Sequence, residues 1–360
     1  MIGKSFKWLL NPRKNKLPPY MIFFVTSKCN SRCKTCFNWK NLNRKDDLSL
    51  EEIKRISENM HELAWLHLSG GEPFLRNDLP EICRVFFENN KAENIAIPTN
   101  CLLPEKIYKT TKKILSECSE INLTILLSLD GLEKTHYSIR GVKGNFQKVL
   151  KTEKKLRKLK REFPQLSTMV CTVVCNQNYG EMGALMDFVR DEMDVDFHTI
   201  EIIRGNPKNP ELKPPTAEQM EKLFGEYREN LKAYSSRDKR YYKNSFFMKS
   251  FYPLMAFKIN SFLNKIQLET LRQERQVIPC LAGKVAGVIN SDGSLSLCEL
   301  LPSIGSLRKA NYAFSSVWFS KKADRQRKMI EGEGCYCTHC LFQVRNIIFN
   351  PKLYFKVLTA

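Results

Sequence analysis

An α/β fold on a parallel sheet is the class this sequence predicts, and three observations carry it. Short apolar runs alternate with amphipathic segments six times. The chemically distinctive residues stand at the C-terminal ends of those runs, and a cysteine-rich tail lies outside the repeat. Alternation of this kind calls for parallel strands joined by right-handed crossovers.

The elements follow in order. Met21-Ile-Phe-Phe-Val25 reads as a buried strand. The helix after it has a start signal, with Ser49 as N-cap and Glu52 three positions on. Ala64 to Leu68 is the second strand and runs into Ser69-Gly-Gly-Glu-Pro73. The full set is strands 21–25, 64–68, 93–97, 121–129, 168–174 and 196–203, with helices 50–62, 78–90, 104–118, 145–163, 179–192 and 216–233. In helix 145–163 the residues Phe146, Val149, Leu156 and Leu159 fall at helical spacing, so the Lys and Arg between them face water. The Pro-rich run from Gly205 to Pro215 reads as a linker or irregular loop. A second helical region extends to about Gln276. In the tail, Asn290-Ser-Asp-Gly293 reads as a hairpin turn between 285–288 and 295–297. The expected organisation is a basic segment 1–20, a core 21–215, a helical basic and aromatic region 216–276, and a cysteine-rich extension 277–360.

Composition narrows the function. The 360 residues carry a net charge of +20, which suits an anionic partner or a solvated basic surface. No apolar run reaches the roughly 20 residues of a spanning helix, and no signal-peptide pattern follows the basic start. Thirteen cysteines, several in close motifs, suit metal binding in a reducing cytoplasm better than a disulfide framework.

Cys29, Cys33 and Cys36 form a C-x3-C-x2-C loop directly after the first strand. Three thiolates hold three irons of a [4Fe–4S] cube and leave the fourth open to a chelating ligand. Zinc sites prefer four protein ligands, whereas iron–sulfur clusters sit on close cysteine runs. With Gly70-Gly71-Glu72-Pro73 after the second strand, this loop resembles the radical S-adenosylmethionine (SAM) enzymes. The resemblance implies a partial (β/α)6 TIM-like barrel, a cluster on the three cysteines, and SAM bound at the G-G-E-P loop. It also implies a reductant such as flavodoxin or ferredoxin. Further SAM-binding candidates are Thr99 and Asn100 after the third strand, Ser128 and Asp130 after the fourth, and Arg140, whose guanidinium suits the SAM carboxylate. Asn176, after the fifth strand, is a weaker one. The aromatic residue usual before the third cysteine is replaced by Thr35, and Phe37 and Trp39 follow instead.

The implied chemistry is reductive cleavage of SAM and hydrogen abstraction by a 5′-deoxyadenosyl radical, so no catalytic triad is needed. The zincin H-E-x-x-H pattern fails at His61, because position 65 is Trp. Cys175, placed at the mouth of the barrel, is a candidate to quench a substrate radical. Cys83, Cys101, Cys118 and Cys171 read as small buried apolar residues.

The tail pattern C-x12-G-x4-C over Cys280, Gly293 and Cys298, followed by Cys335, Cys337 and Cys340, resembles the SPASM or twitch extension of the same enzymes. One auxiliary [4Fe–4S] cluster is expected on Cys280, Cys298, Cys337 and Cys340, with Cys335 in reserve and zinc as the alternative. Substrates open at this point are a peptide or protein side chain, and a lipid, isoprenoid or glycan. Nucleic acid is disfavoured, since no RNA-binding aromatic motif is present. Basic, aromatic stretches at 4–16, 241–265 and 347–358 either pack on the barrel or lie at an anionic membrane surface with a lipid-linked substrate.

Overall fold

The computed structural model describes residues 17–235, 246–332 and 335–359, so the basic stretch 4–16 lies outside the described residues. Six parallel strands run in sequence order across one sheet: β1 (Tyr20–Thr26), β2 (Trp65–Gly70), β3 (Asn94–Thr99), β4 (Asn122–Ser128), β5 (Leu166–Val174) and β6 (Phe197–Ile202). Every residue of β1 is buried, because helices cover one face of the sheet and the barrel interior fills the other. Phe23 meets Phe86 edge to face, with ring centroids 5.8 Å apart.

The crossovers are α1 (Leu50–Glu58), α2 (Leu79–Asn90), α3 (Pro104–Glu117), α4 (Glu133–Arg140), α5 (Asn145–Glu162) and α6 (Met182–Glu192). Ser49 and Glu52 form the reciprocal capping box that the sequence signals. The short α4, unnamed in the sequence reading, ends where Gly141 adopts φ 68°. The helix expected at 179–192 begins with a 3-10 turn at Tyr179–Glu181.

After β6 come α7 (Ala217–Ser235) and the long α8 (Phe246–Gln273). The tail then adds β7 (Ala286–Ile289), β8 (Ser294–Ser296) and β9 (Gly305–Ser306). No local pattern signals where this hairpin docks. β7 lies parallel to β1, with Tyr20 opposite Ala286 and Phe23 opposite Ile289, so the sheet reads β6-β5-β4-β3-β2-β1-β7-β8-β9. The last elements are α9 (Phe314–Trp318), α10 (Lys321–Glu331), α11 (Cys340–Ile348) and α12 (Tyr354–Leu358). Arg308 ties the tail to α1 through Glu52 at 2.6 Å.

Residues 241–245 lie outside the described residues; the rest of the aromatic stretch 241–265 meets the stretch 347–358. Phe262, Leu263, Ile266, Ile347, Leu353 and Val357 form a small core between α8, α11 and α12, distinct from the barrel core.

Candidate functional site

A cavity of about 210 Å³ opens at the C-terminal ends of the strands. Cys29, Cys33 and Cys36 line one wall. Their loop is pinned from three sides. Arg32 and Lys34 N–H groups donate to the Arg140 and Ile139 carbonyls at 3.1 and 2.8 Å. Lys208 and Asn209 N–H groups donate to the Cys36 and Lys34 carbonyls. The Pro-rich segment is therefore an irregular loop that clamps the cysteines. On the third side, Asn43 Oδ1 accepts from the Cys29 N–H at 2.9 Å.

The thiols suit a metal group. All three are free, and the Arg140 guanidinium lies 3.5 Å from Cys33 Sγ. Burial, with Cys33 close by, pushes Cys29 up to about 12 and Cys36 up to about 11. Such thiols ionise only when a cation compensates them. Among the described residues, no three side chains are already drawn together at metal-holding geometry; the loop thiols share a wall.

The Gly70-Gly71-Glu72 loop forms the adjoining wall. Its backbone runs against the cysteine loop, with Gly71 N–H donating to Thr26 and Glu72 N–H to the Lys28 carbonyl, each at 2.8 Å. A Cβ on Gly71 would stand 2.1 Å from the Lys28 oxygen, and one on Gly70, where φ is 120°, 2.3 Å from the Thr26 oxygen. Both positions exclude a side chain. Glu72 is 2% exposed. Its carboxylate accepts from Thr99 Oγ1 at 2.9 Å, Asn100 N–H at 2.7 Å and Phe74 N–H at 3.2 Å. Burial outweighs these donors and raises its pKa to about 7. Thr99, Asn100 and Ser128 reach the same cavity.

Three expected contacts need correction. Pro73 is buried at the start of a 3-10 turn and does not line the cavity. Asp130 also lies behind the wall: it is fully buried, its Oδ2 is 2.6 Å from Arg140 Nε, and its Oδ1 accepts from Val173 N–H. It positions Arg140, which does line the cavity. Cys175 is not at the mouth. β5 ends one residue earlier, and an Asn178 Oδ1 bond to the Cys175 N–H turns the chain, burying the thiol among Ile139, Ile203 and Leu212. Cys171, read as an ordinary core residue, lines the cavity instead. Asn176 is bonded to Glu211 and Lys213 backbone atoms.

A further part of the cavity lining was missed by sequence reasoning. His67, Glu201, Arg204 and Glu299 form it together with Phe37. Arg204 pairs with Glu201 at 2.6 Å and Glu299 at 3.1 Å, and lies over the Phe37 ring at 4.9 Å. His339 Nε2 is 2.7 Å from Glu299 Oε2. Burial opposes ionisation of Glu299, and the His339 ring and Arg204 together hold its carboxyl low. Burial pushes His67 down to about 4, so its imidazole is neutral. The available signals were Glu201 among strand residues and Glu299 directly after Cys298. Trp39 is on the surface, so of the two candidate aromatics only Phe37 faces the cavity.

In the tail, Cys280, Cys335 and Cys337 line one small cavity, and Cys337 and Cys280 lie close enough to Cys298 to add to the burial that pushes its thiol up. Cys340 points elsewhere, toward Thr199 and Glu201 of β6.

Residues 23–189 match the model of the Radical SAM superfamily. A probable GTP 3′,8-cyclase of Methanococcus maripaludis is 32% identical over 197 residues, covering 52% of this chain and 60% of that protein. The chain thus spans under two thirds of this relative's length. Streptococcus suis SuiB bound to S-adenosylmethionine superposes with a TM-score of 0.57 at 17% identity, covering 89% of this chain and 73% of SuiB. Native anSMEcpe with bound AdoMet superposes with a TM-score of 0.55 at 14% identity over 94% and 98% of the two chains. Among the described residues, no helix is long and apolar enough to cross a membrane.

Proposed function

Because the chain belongs to the radical SAM superfamily of enzymes, we propose that it cleaves SAM and abstracts hydrogen from an organic substrate in the cavity described above. One observation carries the reading: the three loop cysteines share a single cavity with Gly70, Gly71, Glu72, Asn100, Ser128 and Arg140. Cys29, Cys33 and Cys36 would hold the [4Fe–4S] group. That group, reduced by a flavodoxin or ferredoxin, supplies the electron that splits SAM into methionine and the 5′-deoxyadenosyl radical. Glu72 receives the SAM ammonium, and Arg140, held by Asp130, receives its carboxylate. Phe37 offers a face to the adenine. His67 and the Glu201–Arg204–Glu299 wall meet the substrate.

The charges on that wall bear on the substrate class. Its GTP 3′,8-cyclase relative would suggest a nucleotide. Both cations of the cavity, Arg140 and Arg204, are engaged by carboxylates. With Arg140 turned to the SAM carboxylate, a triphosphate would meet, among the described lining residues, Glu201 and Glu299 with Arg204 already paired to both, so a neutral or cationic substrate fits better. SuiB, solved with its precursor peptide SuiA, keeps a peptide in play. For the tail we favour one auxiliary [4Fe–4S] group on Cys280, Cys298, Cys335 and Cys337, in place of the Cys340 set.

The test is anaerobic reconstitution followed by chromatography for 5′-deoxyadenosine after dithionite. The wild type should form it, and the Cys29→Ala, Cys33→Ala, Cys36→Ala triple variant should not. Product from the triple variant would end the proposal.

A second reading concerns location. Phe355 is 76% exposed and Leu358 55%, on a helix with Lys352 and Lys356 nearby; Leu254, on the adjoining α8, is 54% exposed. Such a patch suits an anionic membrane surface. Flotation with phosphatidylglycerol vesicles at low salt should carry the wild type and not Phe355→Glu; a wild type left in the pellet refutes it.

A further inference from the structure

A second cavity, of about 230 Å³, adjoins the first. The two share Phe24, Asn38 and Glu299, so these side chains stand between them. The cysteine-loop side contributes Asn38 and Asn41, and the tail contributes Ser296 and Ser303. Among its described lining residues the one cation is Arg44, and Asp292 lines the same cavity.

Glu299 stands at the junction, with its side chain 4% exposed. Its Oε2 is taken by Arg204 and His339. No donor among the described residues reaches Oε1. Asn38 Oδ1 accepts from Asn41 Nδ2 at 3.0 Å, and no described residue accepts from Asn38 Nδ2. Ser303 Oγ makes no bond to a described residue. The junction therefore offers a carboxylate acceptor and an amide donor beside Phe24, and the second cavity adds the Ser303 hydroxyl.

Resting on the radical SAM reading of the first cavity, we propose that the second is a substrate subsite for a neutral, hydroxyl-rich, sugar-like group, one hydroxyl of which donates to Glu299 Oε1. Hydroxyls both give and accept, which matches a wall of short amides and hydroxyls. The apolar face of a sugar ring suits Phe24. A phosphate or anionic headgroup would meet Asp292 beside Arg44, and Glu299, whose charge Arg204 already shares with Glu201.

Saturation-transfer NMR on the iron-reconstituted full chain with SAM tests this. The probes are methyl glucoside, methyl galactoside and methyl N-acetylglucosaminide, set against a capped Gly-Ser-Gly tripeptide and GTP. At least one glycoside should be saturated. Ser303→Phe, which fills the subsite, should lower that signal at least fivefold, and Glu299→Gln at least threefold. Circular dichroism and iron content check folding, and Asn38→Leu replaces any variant that misfolds. Silence of all three glycosides, saturation of the tripeptide or GTP alone, or a glycoside signal unchanged in folded variants overturns the proposal. 5′-Deoxyadenosine formation by the wild type is measured in parallel. Its absence would defeat the reading of the first cavity, while the glycoside signals judge the second.

Discussion

Replacing Glu72 by Gln removes one charge and little volume from the SAM cavity. The carboxylate accepts from Thr99, Asn100 and Phe74 at 2% exposure, so the swap turns one acceptor into a donor among donors. A charge-assisted hydrogen bond contributes about 1.5–3 kcal/mol, so loss of the contact to the SAM ammonium should raise the SAM Kd by about 10- to 150-fold. The pH profile adds a second signature. Glu72 has its pKa raised to about 7 by burial. Its ionised form is the one that receives the ammonium, so wild-type SAM affinity should fall about tenfold between pH 8 and pH 6, and the Gln variant should show no such step. The linkage runs the other way for the protein without SAM. A carboxyl with a raised folded pKa stabilises fully below its unfolded value near 4.5, and this is lost as pH rises through about 7. SAM binding should restore it. Equilibrium dialysis with radiolabelled SAM on reconstituted protein, at constant iron content, measures both effects. A variant Kd within twofold of wild type, with the same pH profile, would refute the assignment.

Arg140→Met should destabilise the fold by about 3–5 kcal/mol in urea unfolding, because it strands the fully buried Asp130; adding Asp130→Asn should recover part of the loss. Gly71→Ala should abolish SAM binding in the dialysis assay, because its Cβ has no room beside the Lys28 carbonyl, whereas Gly180→Ala, with nothing within 4 Å, should be silent. Iron content should fall from about eight to about four per chain in Cys280→Ala or Cys335→Ala, and stay at about eight in Cys340→Ala. A drop with Cys340→Ala alone would restore the ligand set first expected from spacing.

The barrel was legible because its signals are local. Strand runs such as MIFFV, the Ser49–Glu52 box and the glycines before Glu72 depend on neighbours a few residues away. So do the loop cysteines, whose spacing predicts a shared wall. What sequence reasoning missed depends on contacts between distant segments. Glu299 and His339 meet the local Glu201–Arg204 pair only because the tail folds over the end of β6, and no spacing encodes that. Asp130 and Cys175 were misplaced for a related reason. Strand alternation fixes a face only while the strand lasts, and β4 ends at Ser128 and β5 at Val174. Past those points, local turns and the Arg140 pair decide direction. The choice between Cys335 and Cys340 turns on how α11 enters its packing, not on chelate spacing.

The pairing of β7 with β1 has a consequence for biosynthesis. Tyr20 reaches its partner Ala286 only after about 266 further residues have been made, which at 5–20 residues per second takes about 13–50 s. Until then the strand carrying the cysteine loop presents an unpaired, mostly apolar edge, the kind that recruits other chains. Nascent chains of this protein should therefore lean on a holdase, and slowing translation upstream of β7 should raise the aggregated fraction while leaving the finished fold unchanged.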